Sequence, residues 1–223
     1  YIDEQGQAIG YIADWWELWS NKTGIKVDLQ TPSWAESQRR LLAGEADVID
    51  LIFRTQQREP KYDFTPPHTR VPVSIYEHHT LSGIKTVDSL RGFLIGIMSG
   101  DACIDTLRLE DIQNFKEYPS YADVITGAIK QDVKLFCMDD YPANFYLHRQ
   151  NAQQQFRKTI SLSDGEFHRA VKKGNKNMLA LIAQGATLIT EQEDRQLREK
   201  WITPLTPKKA FDWTIVWVVL GAT

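Results

Sequence analysis

Asp47-Val-Ile-Asp-Leu-Ile-Phe53 is the stretch on which the fold turns. Its apolar run reads as a strand, and it follows closely on a helix. Ser33-Trp-Ala-Glu36 is a capping box that opens that helix, since serine and glutamate side chains at this spacing satisfy each other's backbone amides, and Gly44 supplies the stop. Upstream, Ile25 to Leu29 reads as a short extended segment. Ahead of it Ile12, Trp15, Trp16 and Trp19 recur at i, i+3, i+4 and i+7, one stripe of a helix that ends at Gly24. Strands and helices alternating through short connections predict a parallel sheet covered by helices.

The pattern then restarts. Leu94-Ile-Gly-Ile-Met98 reads as a buried strand closed by Ser99-Gly100-Asp101, after which Ile104 and Leu107 share a helical face. Ser120-Tyr-Ala-Asp123 begins another helix with Val124, Ile125, Ala128 and Ile129 inward, and Val133 to Met138 is the next strand. Between the two α/β units, Arg70 to Tyr76 is extended, and Gly165 to Val171 is a second extended segment before two more helices, the latter opened by Thr190-Glu-Gln-Glu193. Two crossings predict two lobes and a hinge: residues 1–76 and 168–205 in lobe one, 80–164 in lobe two, and 206–223 as a linker. A cleft between lobes is a common place for a small-molecule site, and closure is its expected motion.

Composition narrows the function. A chain of 223 residues, 42% hydrophobic, buries a substantial core. With a net charge of −3 and scattered basic residues, no footprint for nucleic acid stands out. The two cysteines, Cys103 and Cys137, form no CxxC motif; one disulfide in an oxidising compartment is open to them. The five histidines show no metal-ligand spacing, so neither metal nor cofactor is expected. No basic leader or apolar run opens the chain at Tyr1. Trp213-Thr-Ile-Val-Trp-Val-Val-Leu-Gly-Ala-Thr223 reads as the first turns of a membrane helix with interfacial tryptophans, the alternative being a buried terminal strand or helix.

Residues 1 to 205 resemble the family 3 bacterial solute-binding proteins, the amino-acid-binding group of periplasmic receptors. The resemblance is carried by Asp47 to Arg58 with its Thr55-Gln-Gln-Arg58 turn, by Tyr62-Asp-Phe-Thr-Pro66, by Gly10 to Asp14, Trp34, Leu90-Arg-Gly92 and Glu199-Lys-Trp201. Ser99-Gly-Asp-Ala-Cys-Ile104 and Phe136-Cys-Met-Asp139 look like versions found in domains fused through a membrane helix to histidine kinases or diguanylate cyclases. The fold so implied is a periplasmic-binding-protein-like α/β fold (Venus flytrap), two lobes joined by two crossing strands.

The same resemblance assigns a site. Arg58 matches the arginine that clamps a ligand carboxylate, a task for which the planar guanidinium fork is suited. It is expected as an exposed cleft residue, with Thr55 ordering its turn. Asp139, or its neighbour Asp140, matches the aspartate that accepts a ligand amino group; either side chain is otherwise a cap for the following helix. Phe53 stands where a small hydroxyl residue is usual, and Gly100-Asp101-Ala102 replaces Gly followed by Ser or Thr. Asp101 is either stabilised by the helix amides it precedes or turned toward a ligand, which favours a cationic or neutral solute. Trp34 and Tyr1 align near the pocket walls, with core packing the alternative for Trp34. His68 replaces a tyrosine and receives no role. Cys103 begins a helix after one strand and Cys137 ends another, so the two are predicted to lie within disulfide reach.

The function expected is therefore an extracytoplasmic sensor domain that closes around an amino-acid-like or cationic solute and signals across the membrane, in the periplasm and tethered to the inner membrane. A freestanding transport receptor, a protein-binding degenerate receptor and a cleft dehydratase are the alternatives. No nucleophile paired with a base supports the last. The partners expected are a small-molecule ligand, an amino acid or amine; the membrane through a C-terminal helix; and a second copy in a possible homodimer.

Overall fold

The computed structural model describes residues 8–201. Tyr1 and the apolar segment from Trp213 lie outside them. Among the described residues no helix is long and apolar enough to cross a membrane. By compactness the chain divides after Gln30 and before Gly185, giving one unit from the two ends and a second from residues 31–184.

In the unit built from the ends, α1 (Tyr11–Thr23) and α7 (Glu191–Trp201) pack together. The predicted stripe is there: Trp15, Trp16 and Trp19 are buried, and Gly24 ends α1 in a left-handed conformation. Thr190 and Glu193 form the expected capping box, each side chain accepting from the other's amide. Tyr11 donates to Asp194, and Lys22 pairs with Glu193. Ile25 to Leu29, expected as a strand, join no ladder, and Ile25 and Leu29 are exposed.

The other unit holds α2 (Trp34–Ala43), β1 (Ile49–Phe53), β2 (Tyr62–Phe64), β3 (Thr69–His78), β4 (Ile95–Met98), α3 (Ala102–Leu109), β5 (Phe115–Tyr118), α4 (Tyr121–Ile129), β6 (Leu135–Asp139), α5 (Asp140–Arg149) and β7 (Phe156–Lys172). Helix α6 (Lys176–Ala186) follows. The strands are hydrogen-bonded in the order β1-β7-β3-β6-β4-β5, with β2 also on β7. The long strands β3 and β7 run antiparallel from Thr69 opposite Phe167 to His78 opposite Phe156. One end of this ribbon carries β1 and β2, both antiparallel to β7, so the parallel sheet expected around β1 does not form. At the other end β6 joins β3, and β4 lies parallel to both β5 and β6, as expected of the second α/β unit.

Strand β6 is buried on both faces, and its alternation sorts the core. Leu135 and Cys137 enter one cluster with Ile97, Ile104 and Leu107; Phe136 and Met138 enter another with Val124, Ile125 and Leu147. By the two-residue period of a strand, Asp139 falls on the side of Leu135 and Cys137, the side that α3 covers.

Candidate ligand-binding site

Two turns and the end of β6 place the candidate groups. The first follows β1. Thr55 O accepts the amides of Arg58 and Glu59, both at 3.0 Å, so Thr55 orders the turn, and its hydroxyl donates to Asp105 Oδ2 at 3.1 Å. Arg58 is thereby turned inward. It is only 6% exposed, not the open cleft residue expected. Its Nη1 donates to Phe53 O at 3.0 Å and its Nη2 to Gly100 O at 2.8 Å. Burial disfavours its charge and lowers its pKa, while Asp101 and Asp105 pull the other way. The correction has a simple cause: a fork that bridges two backbone carbonyls is drawn under the surface by them.

The second turn follows β4. Gly100 has φ +75°, the left-handed region that glycine enters without strain, and a Cβ there would stand 2.7 Å from Gln38 Nε2. Its carbonyl accepts from Trp34 Nε1 at 3.0 Å, Gln38 Nε2 at 3.1 Å and Arg58 Nη2 at 2.8 Å. Arg58 also lies 5.8 Å from the Trp34 ring centroid. Three donors thus converge on a single oxygen. Trp34, half-buried, has its indole N–H committed to this carbonyl.

Asp101 is the N-cap of α3, and its Oδ1 accepts from the Cys103 amide at 2.8 Å. That is the helix-amide role foreseen for it, but Oδ2 is taken by the Tyr121 hydroxyl at 2.6 Å. The same hydroxyl lies 3.1 Å from Asp139 Oδ2. Asp139 is 4% exposed, its side chain makes no cap bond to α5, and its Oδ1 is buried without a hydrogen-bond partner. Asp140 turns elsewhere, to Tyr76 Oη at 3.0 Å and Lys158 Nζ at 2.6 Å. Neither aspartate side chain caps α5 through a hydrogen bond to its amides. Burial, then the charge of Asp101, holds the Asp139 carboxyl well above the usual range, with Tyr121 opposing. Burial likewise raises Asp101, against the Cys103 amide, Tyr121 and Arg58.

A covalent bond spaces these two carboxylates. Cys103 and Cys137 are joined in a disulfide with their Cα atoms 6.3 Å apart, as their positions predicted. It ties the first turn of α3 to β6, two residues beyond Asp101 and two before Asp139.

A pocket of about 280 Å³ opens beside these groups. Arg58, Lys61 and Arg108 line it with positive charge, and Asp101, Asp105 and Glu117 with negative. Asp101 therefore belongs both to the pocket and, through Tyr121, to the buried pair with Asp139. Phe53 is placed differently: its ring stacks on Phe167, centroids 4.8 Å apart, and covers Gly165, where a Cβ would stand 2.4 Å from the ring. Its side chain packs, and its carbonyl holds Arg58. His68 contacts Asp50 at 2.9 Å, and Asp50 pairs with Arg169 at 3.0 Å in a buried network joining β1 to β7.

Tyr121 and Gln38 are the groups that sequence reading missed. The signal for Tyr121 lies in the sheet order. Gly100 and Asp101 follow β4, Tyr121 comes soon after β5, and Asp139 ends β6, so all four stand at the carboxyl ends of adjacent parallel strands, where open α/β sheets bind ligands.

The chain matches the bacterial extracellular solute-binding proteins, family 3, over residues 1–204. It is 23% identical over 211 residues to the L-cystine-binding protein TcyJ of Escherichia coli K12, covering 89% of this chain and 76% of that protein. Among solved structures, a histidine kinase sensor domain with similarity to periplasmic binding proteins superposes with a TM-score of 0.83 at 22% identity, covering 91% of this chain and 90% of that one. An ancestral arginine-binding protein bound to glutamine gives 0.79 at 21%, covering 90% and 91%. At these identities the likeness to solved structures is one of fold, the periplasmic-binding-protein-like α/β fold.

Proposed function

The chain belongs to the bacterial extracellular solute-binding proteins, family 3, and from that membership we propose that it is an extracytoplasmic ligand-binding sensor domain for a small solute bearing a carboxylate and an amine. One observation carries the reading: Arg58 and Asp101 line the same small pocket, and Asp101 is joined through Tyr121 to the buried Asp139. A guanidinium and a carboxylate lining one pocket, the carboxylate linked through Tyr121 to a second one, suit the two ends of a zwitterion. On this reading residues 1–76 with 168–205 and residues 80–164 act as lobes, β3 and β7 are the crossings, and the ligand contacts both lobes only when they close. Trp34 and Gln38 share with Arg58 the task of holding the carboxylate; Tyr1 stays a candidate wall residue.

Two further points support a sensor outside the cytoplasm. The disulfide fits an oxidising compartment, and the likeness to a histidine kinase sensor domain motivates the signalling role. The named relatives are binding proteins and a sensor domain, and we assign this domain no chemistry. The apolar segment from Trp213 would then begin a tether to the inner membrane, with a homodimer as the form in which closure is read out.

The test is a thermal-shift screen against amino acids, polyamines and small organic acids, repeated on Arg58→Ala. A solute at about 100 times its Kd adds roughly 2.7 kcal/mol to the folded form. The reading expects a shift that Arg58→Ala removes. It is refuted if a solute with a carboxylate binds the variant as tightly as the parent, or if none binds the parent. For the tether, the reading frame beyond Thr223 should complete an apolar span and enter a cytoplasmic output domain; a stop before that leaves a freestanding receptor.

A further inference from the structure

We propose that Asp101, Tyr121 and Asp139 form a proton-exchanging subsite for the cationic group of the solute, holding one proton when empty and giving it up when an ammonium or guanidinium arrives. The inference rests on the solute-binding reading above and goes beyond it in naming what the empty site contains.

A phenol has one hydrogen to donate and otherwise accepts. Tyr121 Oη meets two carboxylate oxygens, Asp101 Oδ2 at 2.6 Å and Asp139 Oδ2 at 3.1 Å. Its own hydrogen serves the shorter contact. The longer one pairs two acceptors unless a second hydrogen sits between them, and one of the two carboxyls has to carry it. Asp101 needs no proton, because its Oδ1 already takes the Cys103 amide and its Oδ2 the phenol. Asp139 has no such support: Oδ1 is buried and, among the described residues, unpartnered.

The surroundings agree with a single proton. Facing the pair are Tyr121 from α4, Asp105 from α3, Asp140 from the start of α5, Tyr76 from β3 and Arg58 from the turn after β1. Arg58 is the one cation among them, and its fork is spent on Phe53 O and Gly100 O. The Cys103–Cys137 bond limits how far the backbones that carry the two carboxylates can separate. Two like charges held together in a buried place do not both ionise; a proton or an external cation must join them. An ammonium or guanidinium brings a positive charge and hydrogens for the orphaned Oδ1, so it replaces the proton, which leaves to the buffer. The sign follows: below the raised pKa of the empty pair, apparent affinity rises with pH by about tenfold per unit for one proton released, and it levels off above that pKa.

The experiment has two arms. In the first, the ligand-free domain, labelled with 13C at the aspartate carboxyls, is titrated by NMR. One carboxyl should titrate well above the ordinary aspartate range, vanish in Asp139→Asn and move in Tyr121→Phe, which removes the shared hydroxyl without changing charge. In the second, L-arginine, L-lysine and putrescine are titrated calorimetrically in two buffers of different ionisation enthalpy, which counts protons; about one should be released per solute bound. If no aspartate of the ligand-free domain titrates above the ordinary range, the proton does not exist and the proposal is overturned whatever binds. Cation binding without proton release overturns the exchange and leaves the solute-binding reading standing. Binding confined to neutral or acidic solutes overturns the cation class alone. A raised carboxyl with no solute of any kind bound overturns the solute-binding reading and this subsite together.

Discussion

Replacing both cysteines by alanine removes the one covalent link between α3 and β6, and its cost follows from the chain between them. Cys103 and Cys137 are 34 residues apart. Closing a loop of that length in the unfolded chain removes an entropy of about 2.1 + 1.5R ln n cal/mol/K, which comes to ~13 cal/mol/K, or ~4 kcal/mol at 25 °C. Set against a total stability of ~5–15 kcal/mol for an ordinary domain, this is a large share. Alanine is the right replacement because both side chains are buried in the α3-side core and serine would leave hydroxyls there without partners. Urea unfolding followed by far-ultraviolet circular dichroism should show Cys103→Ala/Cys137→Ala less stable than the oxidised parent by about 4 kcal/mol. Adding a reductant should lower the parent and leave the double variant unchanged. A loss under about 1 kcal/mol would show that the unfolded chain already holds α3 near β6, and the loop argument would be wrong.

Other substitutions test other parts of the site. Gly100→Ala places a Cβ 2.7 Å from Gln38 Nε2 at a positive φ, so it should cost ~1–2 kcal/mol from backbone strain and weaken solute binding as well; unchanged thermal unfolding would refute the left-handed turn. Arg58→Ala takes a donor from Phe53 O and another from Gly100 O, and should destabilise by ~1–3 kcal/mol, so its affinity must be measured well below its unfolding temperature; full stability would deny the bridge. Arg169→Leu leaves the buried Asp50 charge with less compensation and should cost ~3–5 kcal/mol at neutral pH by urea unfolding. Burial pushes Asp50 upward, but Arg169, His68 and the Leu51 amide together hold its carboxyl below the usual range, so this contribution is present above the unfolded aspartate pKa near ~3.9 and is lost as pH falls through the folded value; a parent and variant that differ equally at neutral pH and at the acid limit refute it. Asp139→Asn runs the opposite way. A carboxyl raised by burial favours the fold at low pH and loses that advantage as pH rises through the folded value, so the variant should gain on the parent with increasing pH, by at most ~1.4 kcal/mol per unit for one proton; a pH-independent difference would refute it.

What the sequence revealed depended on how far each signal reached. Helices α1 and α2, the Thr190 cap and the Ser120 cap are decided by residues within a turn or two of one another, and they were legible. Strand β7 was legible only from Gly165 onward, where the chain is half-buried and then buried up to Val171; the half from Phe156 exposes most of its side chains and is extended because β3 lies beside it. The parallel arrangement around β1 failed for a similar reason, since Ile25 to Leu29 find no edge and β1 pairs with β7 across more than a hundred residues. Of the proposed site, Arg58 and Asp139 are nominated by the company they keep in sequence. Tyr121 is not, because its importance comes from β5 lying next to β4, a fact of strand order that no local pattern carries.

On the readings proposed here, the empty site is already filled at both ends. Gly100 O takes the three donors intended for a carboxylate, and a proton occupies the place intended for a cation. A solute therefore binds by exchange, and its affinity is the difference between its own contacts and those it displaces. That difference has a useful asymmetry. Gly100 O is part of the protein, so the donors let go of it only when the β4–α3 turn moves away from Arg58, and the carboxylate half of recognition is tied to a change in backbone position. The proton is a free species, so the cation half is tied to pH and leaves the Gly100 carbonyl in place, although the cation must still reach the buried Asp139 Oδ1. A solute with both groups would drive the turn and expel the proton; an amine alone would expel the proton and leave Gly100 where it is. L-arginine and putrescine should accordingly release similar numbers of protons, while only L-arginine changes the exchange protection of amides around residues 99–103. Equal protection changes for both would mean that the Gly100 carbonyl is not the competitor, and that the carboxylate is held by some other group.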